Sequence, residues 1–179
     1  LDADSAKALA ESFGIEIDEK LQSLVQACGG VPSAIVQLCQ AVSEGVIDPA
    51  ELDLDAQQGL RPVYEARLDS LSEVIRETLS FAGVLGREFQ KYALDQMLEI
   101  DPNKQKALEE IIQRGLLQHD ELMDTLSFAS TIEMQIAFER LPTNKRRDLH
   151  LEAAKALEAV GETPDIIANH LEQAGLRTQ

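Results

Sequence analysis

One stretch of the chain changes its hydrophobic period, and it limits the possible folds more than any other feature. Before residue 116, apolar residues recur at the spacing of amphipathic helices. The segment "LLQHDELMDTLSF" then places two short apolar pieces, Leu116 to Gln118 and Thr125 to Phe128, on either side of the polar "HDELMD". This alternation predicts a small β-hairpin. Because two predicted helices precede it, residues from about 68 to 140 predict a helix–turn–helix with a wing, the winged-helix arrangement.

The rest of the chain predicts helices that begin near a proline or an acidic residue and end near a glycine. Leu, Ala and Ile dominate the apolar positions, while aromatic residues make up only 4% and Trp is absent, so the expected fold class is mainly α. The expected helices cover about residues 3–13, 19–28, 32–44, 57–68, 71–83, 88–97, 103–114, 132–140, 143–160 and 164–174. The segment "VLGREF" is expected to form a turn.

The charge of the chain argues against nucleic-acid binding. The formal net charge is −16, and residues 1–60 hold eleven acids against two bases. Such a surface repels phosphate backbones. The second helix of the helix–turn–helix carries Lys104, Lys106 and Arg114, but Glu109 and Glu110 lie in its middle, and the wing is acidic. A DNA-binding winged helix is therefore the third of three functional hypotheses.

Sequence patterns for catalysis and metal binding are missing from the chain. It contains no GxxxxGK[ST], HExxH, GxSxG or CxxC segment. His119, His150 and His170 are scattered, which is typical of solvated or core-edge histidines rather than of metal ligands. The basic run in "TNKRRDLH" indicates a solvated helix start. No catalytic residue and no metal ligand is predicted.

Two cysteines, Cys28 and Cys39, lie in apolar helical patterns on either side of a glycine turn. Free cysteines of this kind are usually buried and reduced. The expected compartment is therefore a reducing cytoplasm. No apolar run approaches the length of a membrane span, and the chain begins at Leu1 rather than Met, so we expect a piece of a longer protein.

The turn "GGVPSA" joins the second and third predicted helices and carries Gly29, Gly30 and Pro32. Glycines permit unusual backbone angles and close approach, and proline at a helix start presents a rigid apolar ring without losing a needed donor. The turn is compatible with two interpretations. It can be a helix stop followed by a proline start, with no ligand, or a backbone surface that a ligand approaches.

Five stretches in order resemble the C-terminal half of a STAND-type P-loop NTPase module, as found in large LuxR-type ATP-dependent regulators and in bacterial proteins with cyclase or kinase domains. These stretches are "LVQACGGVPSAIVQLCQAVSEGVI", "LSEVIRETLSFAGVLGREF", "ALEEIIQRGLLQ", "LSFASTIEMQIAFERLPTNKRRDLHLEAAKALEA" and "IANHLEQAG". The family's Walker A and Walker B loops would precede Leu1. The resemblance implies a helical lid over about 1–55, a winged-helix subdomain over 56–140, and the start of a TPR-like helical repeat region over 141–179.

The resemblance also implies nucleotide-contacting residues. Gly29, Gly30 and Pro32 match the family's lid turn, whose proline packs near the adenine, although relatives often carry a single Gly followed by Asn or Leu. Ser130 stands where the family usually has a histidine that reaches the phosphates from the winged helix. Alternatively, Ser130 caps the helix that follows, since Glu133 completes an S-x-x-E capping box.

The function that the resemblance implies is regulatory. The chain would not be an enzyme itself, but it would close over ATP or ADP, bound with Mg²⁺ by a preceding P-loop domain. It would then relay the nucleotide state to sensor repeats and effector domains for signal transduction and transcription regulation. The expected partners are that domain and further helical repeats, with neither DNA nor membrane. The second hypothesis is a helical scaffold that binds another protein independently of nucleotide.

Overall fold

The computed structural model describes residues 3–15, 18, 22, 23, 25, 28, 31–48, 61–98 and 101–176. The chain divides into two compact units, Leu1–Leu71 and Ser72–Gln179. This division is coarser than the three subdomains that the resemblance implies, and those boundaries stay a prediction.

The described part of the first unit includes the helices α1 (Ala3–Ser12), α2 (Pro32–Ser43) and α3 (Arg61–Asp69). Gln22, Ser23 and Val25 are helical too, while most of the helix predicted over 19–28 lies outside the described residues. Helix α2 is central, because it packs against both α1 and α3. Its buried face follows the helical period that its sequence predicts. The buried apolar residues of this unit include Ala10, Ile35, Leu38, Cys39, Ala41, Val63 and Leu68.

The second unit begins with α4 (Glu73–Leu85), β1 (Glu88–Gln90), α5 (Lys91–Met97) and α6 (Pro102–Gln113). It continues with the strands β2 (Leu117–Asp120) and β3 (Thr125–Phe128). The helices α7 (Thr131–Glu139), α8 (Thr143–Ala159) and α9 (Pro164–Gln173) follow. None of the helices in the described ranges combines the length and the hydrophobicity that a bilayer crossing requires.

A small antiparallel sheet in the second unit has the order β1-β3-β2. In the predicted hairpin, Leu117 lies opposite Phe128 and Asp120 lies opposite Thr125. On the other side of β3, Phe89 of β1 lies opposite Leu126. Phe89, Leu117, Leu126 and Phe128 are buried, so one face of the sheet covers the helices while the other carries polar residues.

Helix α4 forms the centre of the second unit and packs against α6, α7 and α8. It begins at Ser72, whose side chain accepts a hydrogen bond from the Ile75 N–H, and it ends at Gly86, where φ is 106°. Gly83 lies within the helix and faces α7, where an added Cβ would come to 3.4 Å from both the Met134 carbonyl oxygen and the Phe138 nitrogen. These distances are ordinary van der Waals contacts, so the space between the two helices admits a methyl group but little more.

The structure confirms a mainly helical chain with a β-hairpin at the predicted position. Two local predictions were wrong. Glu88 begins a strand rather than a helix, because Phe89 pairs with β3 and is buried there. Gly83 does not end α4, because the helix continues to Leu85 and ends at Gly86, where φ is 106°.

Candidate functional site

The predicted lid turn leads into α2 with two exposed apolar residues. Val31 is extended, with φ −76° and ψ 115°, and Pro32 occupies the first helical position. The Val31 N–H donates to the Cys28 carbonyl at 3.1 Å, and the Val31 carbonyl accepts from the Ile35 N–H at 3.2 Å. Within the described residues, no side chain caps this helix start. Gly29 and Gly30 lie outside the described residues.

The cysteines flanking this turn are both buried thiols outside any disulfide, as the sequence predicts. Burial, with a smaller contribution from Cys39, raises the pKa of Cys28 to about 12. Burial also raises the pKa of Cys39. The two thiols stay protonated at neutral pH and are therefore packing groups rather than nucleophiles.

Polar side chains in the interior of the first unit escaped the sequence analysis. Gln37 is buried on α2, and its Oε1 meets no hydrogen-bond donor within the described ranges. Arg67 of α3 is buried as well, and its Nη2 donates to Oε1 of Gln40 at 3.3 Å. A buried guanidinium is stable only when it is hydrogen-bonded, so this contact fixes α3 against α2.

Ser130, the predicted sensor position, lies in the second unit at the start of α7. Its Oγ accepts hydrogen bonds from the Ile132 N–H at 3.2 Å and from the Glu133 N–H at 3.4 Å. Ser130 has an extended backbone, with φ −133° and ψ 130°, as an N-cap residue requires. The capping interpretation is confirmed, and Glu133 is buried just behind the cap. A contact with nucleotide phosphates stays a prediction.

Two histidines that the sequence analysis treated as scattered meet in the interior of the second unit. Nδ1 of His150 on α8 lies 3.0 Å from Nδ1 of His170 on α9, and both rings are buried. The ring of Phe138 packs edge-on against His150, with centroids 5.8 Å apart. Burial lowers the pKa of His150, and burial together with the neighbouring His150 lowers the pKa of His170 to about 4. The pair is therefore largely neutral at pH 7.

The hairpin turn carries a further feature that the sequence did not predict. Leu122 is 96% exposed and Met123 is 65% exposed. The acidic character of "HDELMD" is visible in the sequence. However, the alternation of apolar and polar residues that predicted the hairpin does not show which turn residues project into solvent. Their position at the tip follows from the strand register, which pairs Asp120 with Thr125.

A cavity of about 320 Å³ lies between α5 and α8 of the second unit. Its lining consists of Gln96, Met97, Glu152, Lys155, Ala156 and Ala159. This volume is at the lower end for ligand pockets, and the lining includes none of the predicted site residues. Among the residues that the structure describes, no three His, Cys, Asp or Glu side chains converge as metal ligands would.

Pro32 and Ser130 belong to different units, and each is fixed by its own helix start. The geometry that bears on function is therefore local: an exposed turn before α2, a capped start of α7, a buried histidine pair and an apolar hairpin tip. No protein-family model matches the chain, and no curated protein matches it either.

Proposed function

We propose that the chain is a regulatory, non-catalytic part of a STAND-type signalling ATPase. The first unit would act as a lid over nucleotide that a preceding P-loop domain binds. The second unit would pass the nucleotide state to sensor and effector domains through rigid-body movement. ATP or ADP with Mg²⁺ would belong to the preceding domain, and the compartment would be the cytoplasm.

The order of elements in the second unit is the observation that carries this proposal. Helix, strand, two helices and a hairpin follow one another, with β3 between β1 and β2. This order supports a winged helix, which the resemblance implies between the lid and the helical repeats. The antiparallel pair α8 and α9, joined by a short connection, supports the start of a helical repeat array.

The first unit supports the lid hypothesis through the turn before α2. Val31 is 50% exposed, and the Pro32 ring is exposed beside it. A rigid apolar surface at a helix N-terminus can pack against a purine ring at low entropic cost, because proline has no rotamers to lose. Pro32 is the residue of this turn that a substitution can test.

The decisive experiment measures ADP binding by a longer form of the protein that includes the preceding domain. Pro32→Glu keeps a favourable helix start, because an acidic residue suits the first turn, but it places a charge where the adenine would pack. We expect a loss of ADP affinity of at least tenfold. Pro164→Glu is the matched control, since Pro164 is likewise exposed, occupies the first position of its helix and lacks a side-chain cap among the described residues. Equal affinities for the two variants would contradict the lid proposal.

The hypothesis of a DNA-binding winged helix has less support from the geometry. On α6, Lys104 places its Nζ 4.8 Å from the centroid of the Phe81 ring, and Arg114 forms a 2.7 Å ion pair with Glu110. These contacts engage two of the three cations that would face a phosphate backbone. The hairpin tip offers acidic and apolar side chains instead of Lys or Arg.

A further inference from the structure

The apolar residues at the hairpin tip differ from the other exposed hydrophobic residues of the chain. Single exposed apolar side chains are common on protein surfaces and need no explanation. Among the described residues with large exposed hydrophobic side chains, only Leu122 and Met123 are adjacent in sequence and both more than 60% exposed. A tight turn usually carries Gly, Asn, Asp or Ser at such positions, so two large apolar residues are unexpected there.

The turn orders the backbone from which these two side chains project. Oδ1 of Asp120 accepts hydrogen bonds from the Leu122 N–H at 2.9 Å and from the Met123 N–H at 3.2 Å. Asp124 has a left-handed backbone with φ 50°, and its Oδ1 lies 3.0 Å from Nε2 of His119. A turn whose backbone is already ordered loses less backbone entropy when it binds a partner.

The surroundings of Leu122 and Met123 are negatively charged. Asp120, Glu121 and Asp124 lie in the same turn, which contains no Lys or Arg. Lys91 comes close through its backbone, because its N–H donates to the Asp124 carbonyl at 2.9 Å. Its ammonium group instead forms a 2.6 Å ion pair with Asp95, so it does not neutralise the turn.

We propose that the hairpin tip, residues His119 to Asp124, docks into a folded protein partner with an apolar pocket rimmed by Lys or Arg. Leu122 projects almost completely into solvent, so its complement must be concave. The acidic residues around it attract cations and repel both nucleic acid and a second copy of this chain, whose net charge is −16. Met123 can adapt to an irregular pocket because its side chain is unbranched and flexible. The inference does not depend on the nucleotide proposal.

A chemical probe with this complementarity is aminated β-cyclodextrin, whose apolar cavity is surrounded by ammonium groups. Titration into the isotope-labelled chain should shift the NMR methyl signals of Leu122 and Met123 before others. Neutral β-cyclodextrin should bind at least threefold more weakly, and added salt should weaken only the aminated probe. The double substitution Leu122→Ser with Met123→Ser should lower the affinity for the aminated probe at least tenfold.

Two variants serve as controls for this titration. Ile166→Ser removes an exposed apolar side chain from α9 and should leave the affinity unchanged. Glu121→Gln removes one charge from the hairpin tip and should weaken binding of the aminated probe but not of the neutral one. Equal binding of both probes, or binding that survives the double substitution at the tip, would overturn the proposal.

The partner itself can be tested by placing photo-leucine at position 122 and cross-linking in cells that make the protein. The cross-linked residues should lie in an apolar pocket flanked by Lys or Arg. The purified captured protein should bind the chain at least tenfold more weakly after Leu122→Ser. Cross-links to a nucleic acid, to a second copy of the chain, or to an acidic or flat polar surface would contradict the proposal.

Discussion

His150 and His170 share one hydrogen bond between their Nδ1 atoms, which lie 3.0 Å apart in the interior of the second unit. One ring must donate through an Nδ1–H and the other must accept. If both rings were protonated at the same time, two N–H groups would face each other. Phe138 packs against His150 on one side, and the guanidinium of Arg146 lies 5.0 Å from the centroid of the Phe138 ring. The pair therefore couples the packing of α8 and α9 to pH.

Acidification should loosen the pairing of α8 with α9. The folded pKa of His170, about 4, is below its ordinary value of 6.5, so the unfolded chain takes up protons first as the pH falls. This contribution to the free energy of unfolding is complete above about pH 6.5 and is lost between about pH 6.5 and 4. At pH 5 the loss amounts to about 2 kcal/mol. Amide hydrogen exchange in α9 should accelerate accordingly between pH 7 and pH 5, after correction for the intrinsic exchange rate.

A substitution separates this effect from general acid destabilisation. His170→Gln removes the titrating ring, so the pH dependence of the opening free energy of α9 should become smaller between pH 7 and 5. Between pH 7 and 8, the opening free energy of α9 should depend on pH in the same way in the parent chain and in the variant, since the pair stays neutral there. An unchanged slope in the acidic range would show that His170 does not titrate with a lowered pKa.

The cap at Ser130 predicts a specific loss of stability. Ser130→Ala removes the acceptor for the Ile132 and Glu133 N–H groups and should lower the free energy of unfolding by about 1 kcal/mol in urea. Ser130→Asp should retain most of the parent stability, because a carboxylate also accepts these hydrogen bonds and is favoured at a helix N-terminus. In a form of the protein that includes the proposed P-loop domain, Ser130→His should tighten ADP binding only if this position also contacts phosphates.

The approach of α4 to α7 predicts a size limit at Gly83. A Cβ there would stand 3.4 Å from Met134 O, at the edge of ordinary contact, while alanine favours the helix. Gly83→Ala should therefore stay within about 1 kcal/mol of the parent stability, whereas Gly83→Leu should lose about 2–3 kcal/mol through overpacking. Ala8→Leu, on an exposed position of α1, is the control and should change little in the same urea titration.

The buried cysteines predict low thiol reactivity. Cys28 has a pKa of about 12 in the fold and Cys39 is fully buried, so both lack thiolate character and access. Ellman's reagent at pH 8 should react about a hundredfold more slowly with the native chain than with the chain in urea, because reaction requires local opening. Rapid reaction of the native chain with the reagent would show that at least one thiol is accessible at the surface.

The second unit should not form complexes with duplex DNA. A mobility-shift assay with random duplex at about 0.15 M salt should show no complex at micromolar protein, because the hairpin tip is acidic and Arg114 is paired with Glu110. Arg114→Ala should make no difference. A salt-sensitive complex that disappears on substitution of Lys104 and Lys106 would restore the DNA-binding hypothesis.

Local patterns in the sequence were sufficient for most elements of this fold. The period change at Leu116 located the hairpin, and Pro32 and Pro164 marked helix starts that the structure confirms. The S-x-x-E spacing at Ser130 predicted the serine cap. In each case the physical cause lies within a few residues of the signal, so reading along the chain was enough.

The features that escaped prediction depend on contacts between distant residues. The strand at Phe89 exists because β3 pairs with it, and three residues are too few to show an alternating pattern. His150 and His170 lie on separate helices, and only the pairing of α8 with α9 brings their rings together. For the candidate lid turn, the sequence offered Gly29, Gly30 and Pro32, of which the structure describes Pro32 alone.

The strand order has a consequence for how the protein is made. β3 occupies the middle of the sheet, yet it is the last of the three strands to be synthesised. The β2–β3 hairpin can close locally, but Phe89 has no strand to join until Leu126 has left the ribosome. A translational pause between these residues would leave an aromatic side chain without its cover, at a stage when nascent chains are prone to aggregate.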